Sequence, residues 1–276
     1  MALTIRHNLM AQVAQRNLAS TYRNLSESVD ALSSGLRINS ADDDAAGLAV
    51  REKMRAKISA LDQGVRNAQD AISMLQTFDG AAQTIDEKLI RMKELAEQAA
   101  TGTYTSSQRA IMNKEFSKMR SEIDRIANST EFNGIDGLNS STSINVHFGP
   151  GNSSGDSYAV SAQNLTASSA GLGLDSLSIG SQSSAQAALS AINTAIQTKD
   201  QARAEFGSMI TRLRATVQAE EIQRENLQAA ESRISDVDVA KEMATMTRNK
   251  VLAQSGVSML AQANTMPQMA QSLLGG

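Results

Sequence analysis

A chain of 276 residues has room for one large domain or two modest ones; it is 41% hydrophobic but only 3% aromatic, with 13 methionines and no tryptophan. It holds two prolines, Pro150 and Pro267, which leaves long helices open, and no cysteine, which excludes disulfides, thiolate metal sites and cysteine nucleophiles together. A net charge of −3 without a Lys/Arg run excludes the electrostatic footprint of nucleic-acid binding, and neither a membrane span of ~18 apolar residues nor a secretory signal is visible, the opening MALTIRHNLMAQ lacking a basic region followed by an apolar core.

In chain order, Leu18, Tyr22, Leu25, Val29, Leu32 and Leu36 recur alternately four and three apart, the spacing of a helix with one apolar seam. The stretch SSGLRINSADDDAAGLA (33–49) then raises the question of its three aspartates. Three consecutive helical residues fan around the axis and do not converge on a metal. Ser40 and Asp43 instead fit the spacing of a capping box, with acidic groups at the positive end of a helix dipole. The aspartates are expected to start a helix.

That helix is expected over 43–100. Without proline it can reach roughly 85 Å at ~1.5 Å per residue. Ile58, Leu61, Val65, Ala68, Ile72 and Leu75 carry its seam, resumed by Ile85, Leu89, Met92, Ala96 and Ala99, with Gly64 and Gly80 as local weak points. Arg91, Leu95 and Gln98 share a face by their spacing, with Glu94 beside them. TGTYTSSQ (101–108) reads as a turn. A third helix over 105–129 places Met112, Phe116, Met119, Ile123 and Ile126 on one side.

Asn133-Gly134 and Asp136-Gly137 are turn signals, and SINVHF (143–148) and SYAVSA (157–162) alternate as strands do, so 130–183 is expected to be a β-rich turn region. Helix returns over 184–234. Ser235 and Asp238 repeat the capping spacing before a last helix carrying Val239, Met243, Met246, Val257 and Leu260. The expected fold is mainly α: long antiparallel helices in a coiled-coil-like bundle with a small β-hairpin region mid-chain.

Catalytic chemistry finds no foothold. His7 and His147, the two histidines, have no metal-ligand spacing, and no G-x-S-x-G, Walker A or HExxH pattern occurs. Carboxylates lie among Lys and Arg, as in DEKLIRMKELAEQ (86–98), the pattern of a solvated helix face. No enzyme activity, metal or cofactor is expected. Charge is absent from the side chains of the last 26 residues, and the first 15 carry only Arg6. Such ends suit contacts with other copies, because interface centres are depleted in charge.

LSSGLRINSADDDAAGLAV (32–50) closely resembles the amino-terminal signature of bacterial flagellins. ENLQAAESRISDVDVAKEMA (225–244) and VLAQSGVSMLAQANTMPQMAQSLL (251–274) resemble the carboxy-terminal one, and TEFNGIDG (130–137) resembles the turn after the family's third helix. The resemblance implies a subunit that polymerises into the helical flagellar filament for swimming. It implies an inner coiled-coil domain from 1–42 plus 236–276 and an outer rod domain at 43–235, without large outer insertions.

The resemblance further implies secretion through the flagellar export apparatus in an unfolded state, and an extracellular location. The implied partners are a carboxy-terminal export chaperone, the filament cap and junction proteins, with no nucleic acid and no membrane insertion. LIRMKELAEQ (89–98) resembles the stretch through which animal innate immune receptors detect many flagellins. Arg91, Glu94, Leu95 and Gln98 are therefore candidates for subunit packing and for such a host receptor. The alternative is a hook–filament junction adaptor of the same axial family, against which the full 33–49 run and the Ala-Gln-Ala-Asn at 261–264 weigh.

Overall fold

A computed structural model describes residues 7–274, with side chains described as far as Met266; 1–6 and 275–276, the extremes of the expected inner domain, lie outside the described residues. Five helices carry the chain: α1 Leu9–Ser34, α2 Ala45–Ala100, α3 Ser106–Ser129, α4 Gln182–Ser235 and α5 Val239–Leu274. Four short strands lie between α3 and α4: β1 Glu131–Phe132, β2 Ile135–Asp136, β3 Ser143–His147 and β4 Ser157–Ser161. The fold is mainly α with two small hairpins, as the periodicity indicated.

The chain forms two compact units, which divide inside α2 and α4 after Ala56 and before Asn226.

In the unit from Lys57 to Glu225, α2 and α4 run antiparallel. Three ion pairs fix the register, since one partner's number falls as the other's rises: Asp62–Arg224 at 2.7 Å, Asp79–Arg203 at 2.7 Å and Asp86–Lys199 at 2.6 Å. Lys199 is buried, which works against its charge, but hydrogen bonds to Asp200 and Asp86 outweigh burial and hold its ammonium above the usual lysine range. Between the helices lie Phe78 and Phe206, their ring centroids 6.3 Å apart, with Leu75, Ile85, Leu89 and Met92 fully buried. The period-3.5 reading of α2 therefore located the core.

Helix α3 closes this core with Met112, Phe116, Ile123 and Ile126. Its start is a full capping box, Thr105 Oγ accepting from Gln108 N–H while Gln108 Oε1 accepts from Thr105 N–H. The T-S-S-Q that specifies it stands where the turn reading of 101–108 and the helix expected over 105–129 overlap.

Beyond α3, Asn133 and Gly134 both adopt positive φ, 52° and 76°, which joins β1 to β2 in the way the Asn-Gly pair indicated. Strands β3 and β4 pair antiparallel with Ile144 opposite Val160 and Val146 opposite Tyr158. The rest of the region departs from the β-rich expectation: 162–181 contains no strand. Its Leu165, Ala167, Leu172, Leu174 and Ile179 are buried in the core as loop residues. Polar side chains of α3 hold that loop's backbone. Asp124 accepts from Ala167 N–H at 2.8 Å, Asn113 accepts from Ile179 N–H at 2.8 Å, and Arg120 donates to the Asp175 carbonyl at 2.6 Å. These substitute for the missing ladder, since buried backbone groups need partners.

The two glycines of α2 separate by packing. A Cβ at Gly64 would overlap the Phe148 carbonyl, so the missing side chain lets the β3–β4 hairpin touch the helix; at Gly80 a Cβ meets nothing within 4 Å. Gly64→Ala should therefore destabilise the protein by roughly 1–3 kcal/mol through overpacking. Gly80→Ala should stabilise it by up to about 1 kcal/mol through helix propensity. Chemical denaturation of both variants checks the opposite signs.

Candidate assembly interface

The unit made of the chain up to Ala56 and from Asn226 onward is built on α1 and α5. They run antiparallel: Asn8 donates to the Ala263 carbonyl at 2.8 Å, Leu18 lies against Gly256, and Leu36 bridges Asp236. The row of α1 turned inward is Ala11, Ala14, Leu18, Thr21, Leu25, Ser28 and Leu32, three and four apart. Opposite stand Met246, Asn249, Ala253, Gly256, Leu260 and Ala263 in the same rhythm. Most of these side chains are small, and interaxial distance shrinks with the side chains at the contact. At Gly256 a Cβ would already stand 3.0 Å from Leu18 Cδ1.

The expected seam thus divides into two groups. Leu18, Leu25, Leu32, Met246 and Leu260 are half-buried on the α1–α5 face. Tyr22, Val29, Val239, Met243 and Val257 point elsewhere and are 47–57% exposed. Leu36 is half-buried but lies outside α1, which ends at Ser34. Gly35 follows with φ 73°, a left-handed C-cap whose N–H bonds the Ala31 carbonyl. The connections then pair with each other. Arg37 N–H donates to the Ser235 carbonyl at 2.6 Å, Val237 N–H donates to the Gly35 carbonyl at 3.1 Å, and the Arg37 guanidinium donates to the Ile234 carbonyl at 2.5 Å.

The capping expectation is corrected at both places. Asp43 does reach back to the backbone N–H groups of Ser40 and Asn39, each at 2.9 Å, and these bonds hold its carboxyl below the usual range. Ser40 does not complete the box: its hydroxyl donates to Asp42 at 2.5 Å. The residue that accepts from the first turn of α2 is Asp44, from Gly47 N–H at 2.8 Å. At the second site Ser235 is the last residue of α4, and Asp238 caps α5 by accepting from Lys241 N–H at 3.1 Å. Of the four expected residues Asp238 alone caps its helix, and Asp44 takes that role at α2. Helix α2 begins at Ala45 and α5 at Val239, so Asp44 and Asp238 immediately precede them and take the capping position, while the serines lie about a turn too early. The segment between α1 and α2 is anchored by Arg51, whose guanidinium donates to the carbonyl of the buried Ile38 at 2.6 Å.

Outside the shared face, both helices present large apolar side chains. Leu9, Met10 and Val13 of α1 and Leu252, Met259 and Met266 of α5 line one groove of about 520 Å³, and Val251 is also 55% exposed. Charged side chains take no part in lining it. Contiguous exposed apolar surface of this kind marks interaction sites.

In the other unit, the expected face of Arg91, Glu94, Leu95 and Gln98 is split. Leu95 is 2% exposed and belongs to the core, because α2 turns its 92, 95, 96 and 99 row inward. Arg91 pairs with Glu94 at 2.9 Å and Glu115 at 2.8 Å, and Gln98 donates to the Tyr104 hydroxyl at 2.8 Å. Arg91, Glu94 and Gln98 stay exposed.

The bacterial flagellin N-terminal helical region matches residues 5–143, and the bacterial flagellin C-terminal helical region matches residues 189–274. The chain belongs to the bacterial flagellins. It is similar over its length to a flagellin of Halalkalibacterium halodurans, 42% identical over 272 residues, covering 99% of this chain and 100% of that one. A flagellar filament 33 kDa core protein of Treponema phagedenis is 39% identical over 285 residues, with the same coverage of 99% and 100%. Among solved structures, a crystal structure of Bacillus cereus flagellin aligns with TM-score 0.50 at 33% identity, over 56% of this chain and 88% of that one. A putative flagellar hook-associated protein of Vibrio parahaemolyticus shares the fold alone, at TM-score 0.58 and 16% identity over 70% of this chain and 100% of that one. As a flagellin, the chain is a structural subunit of the flagellar filament, from a family of structural proteins. It is a short member of that family.

The corrected caps have a direct consequence. Asp44→Ala and Asp238→Ala should each cost about 1 kcal/mol of stability, while Ser40→Ala should cost less than half of that. Urea unfolding followed by circular dichroism measures all three.

Proposed function

We propose that this flagellin polymerises through the exposed apolar side chains of α1 and α5, with 1–42 and 236–276 forming the inner coiled-coil layer of the filament and 43–235 the outer rod. The observation that carries the reading is the placement of Tyr22, Val29, Val257, Leu252 and Met259. They are large, apolar and exposed on helices that bear few charges. Each is already about half covered, so burying the rest against another copy stabilises assembly by about half of the ~1.5–3 kcal/mol of full burial. A head-to-tail contact repeated at an angle that does not close gives an open helix.

Arg91, Glu94 and Gln98 are the exposed part of a second packing surface, to which Leu95 contributes only by supporting the helix from the core. The same three residues are what a host innate immune receptor would meet on the disassembled chain. Export in an unfolded state, by way of the flagellar export apparatus and with a chaperone on the carboxy-terminal segment, brings the subunit to its extracellular place between junction and cap proteins. A chain without cysteine threads such a channel without crosslinks.

A double variant, Leu252→Lys with Met259→Lys, tests the reading. In a kosmotropic salt the unaltered chain should form long filaments, and the variant should form none while keeping its helix content by circular dichroism. Filaments from both proteins would overturn the proposed interface. Small closed or capped particles from the unaltered chain would point to the junction adaptor.

A further inference from the structure

One buried polar atom among the described residues has no hydrogen-bond partner: Oε2 of Glu220. Glu220 belongs to α4, is 6% exposed, and lines a groove of about 450 Å³ where the end of the β3–β4 hairpin meets that helix. Across the groove, Asp156 organises the 148–156 loop. Its carbonyl accepts from Phe148 and Gly149 N–H, and its carboxylate accepts from the Ser153 N–H and hydroxyl at 2.7 and 2.6 Å. Those bonds, the hydroxyl's first, hold Asp156 below the usual carboxylate range, so it is ionised at neutral pH. Arg212 lines the same groove with its guanidinium stacked 4.4 Å above the Tyr158 ring, and among the described residues it forms no ion pair with either carboxylate.

We propose that Glu220 is a proton-operated latch for the β3–β4 hairpin: neutral, it lets the 148–156 loop lie against α4; ionised, it repels Asp156 and loosens that contact. The other charged groups around the groove are committed or distant in role. Arg224 of α4 is paired with Asp62 of α2, Arg66 of α2 bonds Gln63, Glu221 of α4 is exposed, and His147 of β3 is exposed beside Asp156.

Burial first, then the charge of Asp156, pushes the Glu220 carboxyl from 4.5 up to about 7. The folded protein therefore binds this proton more tightly than the unfolded chain does. Stabilisation by the proton is complete below 4.5 and is lost as pH rises through about 7. Each unit of such a difference is a tenfold change in equilibrium, so the hairpin's opening equilibrium should shift on the order of a hundredfold across the window.

Hydrogen–deuterium exchange of the full-length monomer at pH 5 and pH 8, corrected for intrinsic exchange, reads this directly in the peptide spanning 143–161. The latch requires protection there to fall by on the order of a hundredfold at the higher pH, while peptides of α3 change little. In Glu220→Gln, whose side chain is neutral at both values, protection should stay at the low-pH level. His147→Gln should leave the dependence in place. An equal fall in Glu220→Gln, or a dependence abolished by His147→Gln, would overturn the proposal. Carboxyl ¹³C titration of Glu220 in the unaltered chain is independent of the variants' folding, and a midpoint near the ordinary glutamate value would overturn it as well. Because the monomer is measured, the result stands apart from whether the terminal helices polymerise.

Discussion

A helix can offer any one stripe of its surface to one partner only, and in this protein that constraint governs the terminal helices. α1 and α5 meet through Ala11, Ala14, Thr21, Ser28, Ala253, Gly256 and Ala263, interleaved with a few leucines. Small side chains bring the two backbones close, close enough for Asn8 to bond the Ala263 carbonyl. The bulk of the apolar volume is turned outward as a result. Tyr22, Val29, Leu252 and Val257 have no place in the contact within the chain and are free for contacts between chains. A filament subunit needs this division, because a pair that buried all its large side chains internally would have nothing left with which to polymerise.

The unit from Lys57 to Glu225 follows the opposite rule and buries its large residues. Phe78, Phe116 and Phe206 fill its centre, and the loop from 162 to 181 contributes Leu165, Leu172 and Leu174 as if it were a further strand. The ion pairs between α2 and α4 set register more than they add stability, since Arg203–Asp79 and Arg224–Asp62 are each about a third exposed and pairs in such settings are worth little. One polar group breaks the pattern. Glu220 sits buried beside Asp156 without a partner, where an apolar residue would pack at lower cost.

Much of this was legible in the sequence. The 3.5-residue period located five helices, and Asn133-Gly134 and the alternation of SINVH and SYAVS located both hairpins. The family signature at both ends identified the chain, because long motifs in the right order carry information that periodicity lacks. What could not be read was phase. In α1 the rows Leu18-Tyr22-Leu25-Val29 and Leu18-Thr21-Leu25-Ser28 fit the same spacing, and hydrophobicity favours the first while close packing selects the second. Leu95 illustrates the same ambiguity in α2: its spacing from Arg91 and Gln98 is that of a shared face, yet a leucine flanked by Met92, Ala96 and Ala99 goes to the core. The caps failed for a related reason. Ser40 and Asp43 have the right separation, but α2 begins only at Ala45, so Asp44 stands at the capping position and Ser40 lies too early to reach the first-turn N–H groups. The 162–181 loop was illegible because its backbone is satisfied by Asp124, Asn113 and Arg120, partners far away in sequence.

If small residues face inward and large ones face the next copy, neighbouring positions on α1 separate the two roles. Ser28 is 3% exposed and Val29 is 47% exposed. Because the chain has no native cysteine, Ser28→Cys and Val29→Cys each place a single thiol in it. The measurement is the rate of thiol alkylation in monomer and in filament. Ser28→Cys should label slowly in both states, and Val29→Cys should label fast in the monomer and at least tenfold more slowly on polymerisation. Equal rates for the two thiols in the monomer, or a Val29→Cys thiol that stays reactive in the filament, would contradict that division of roles.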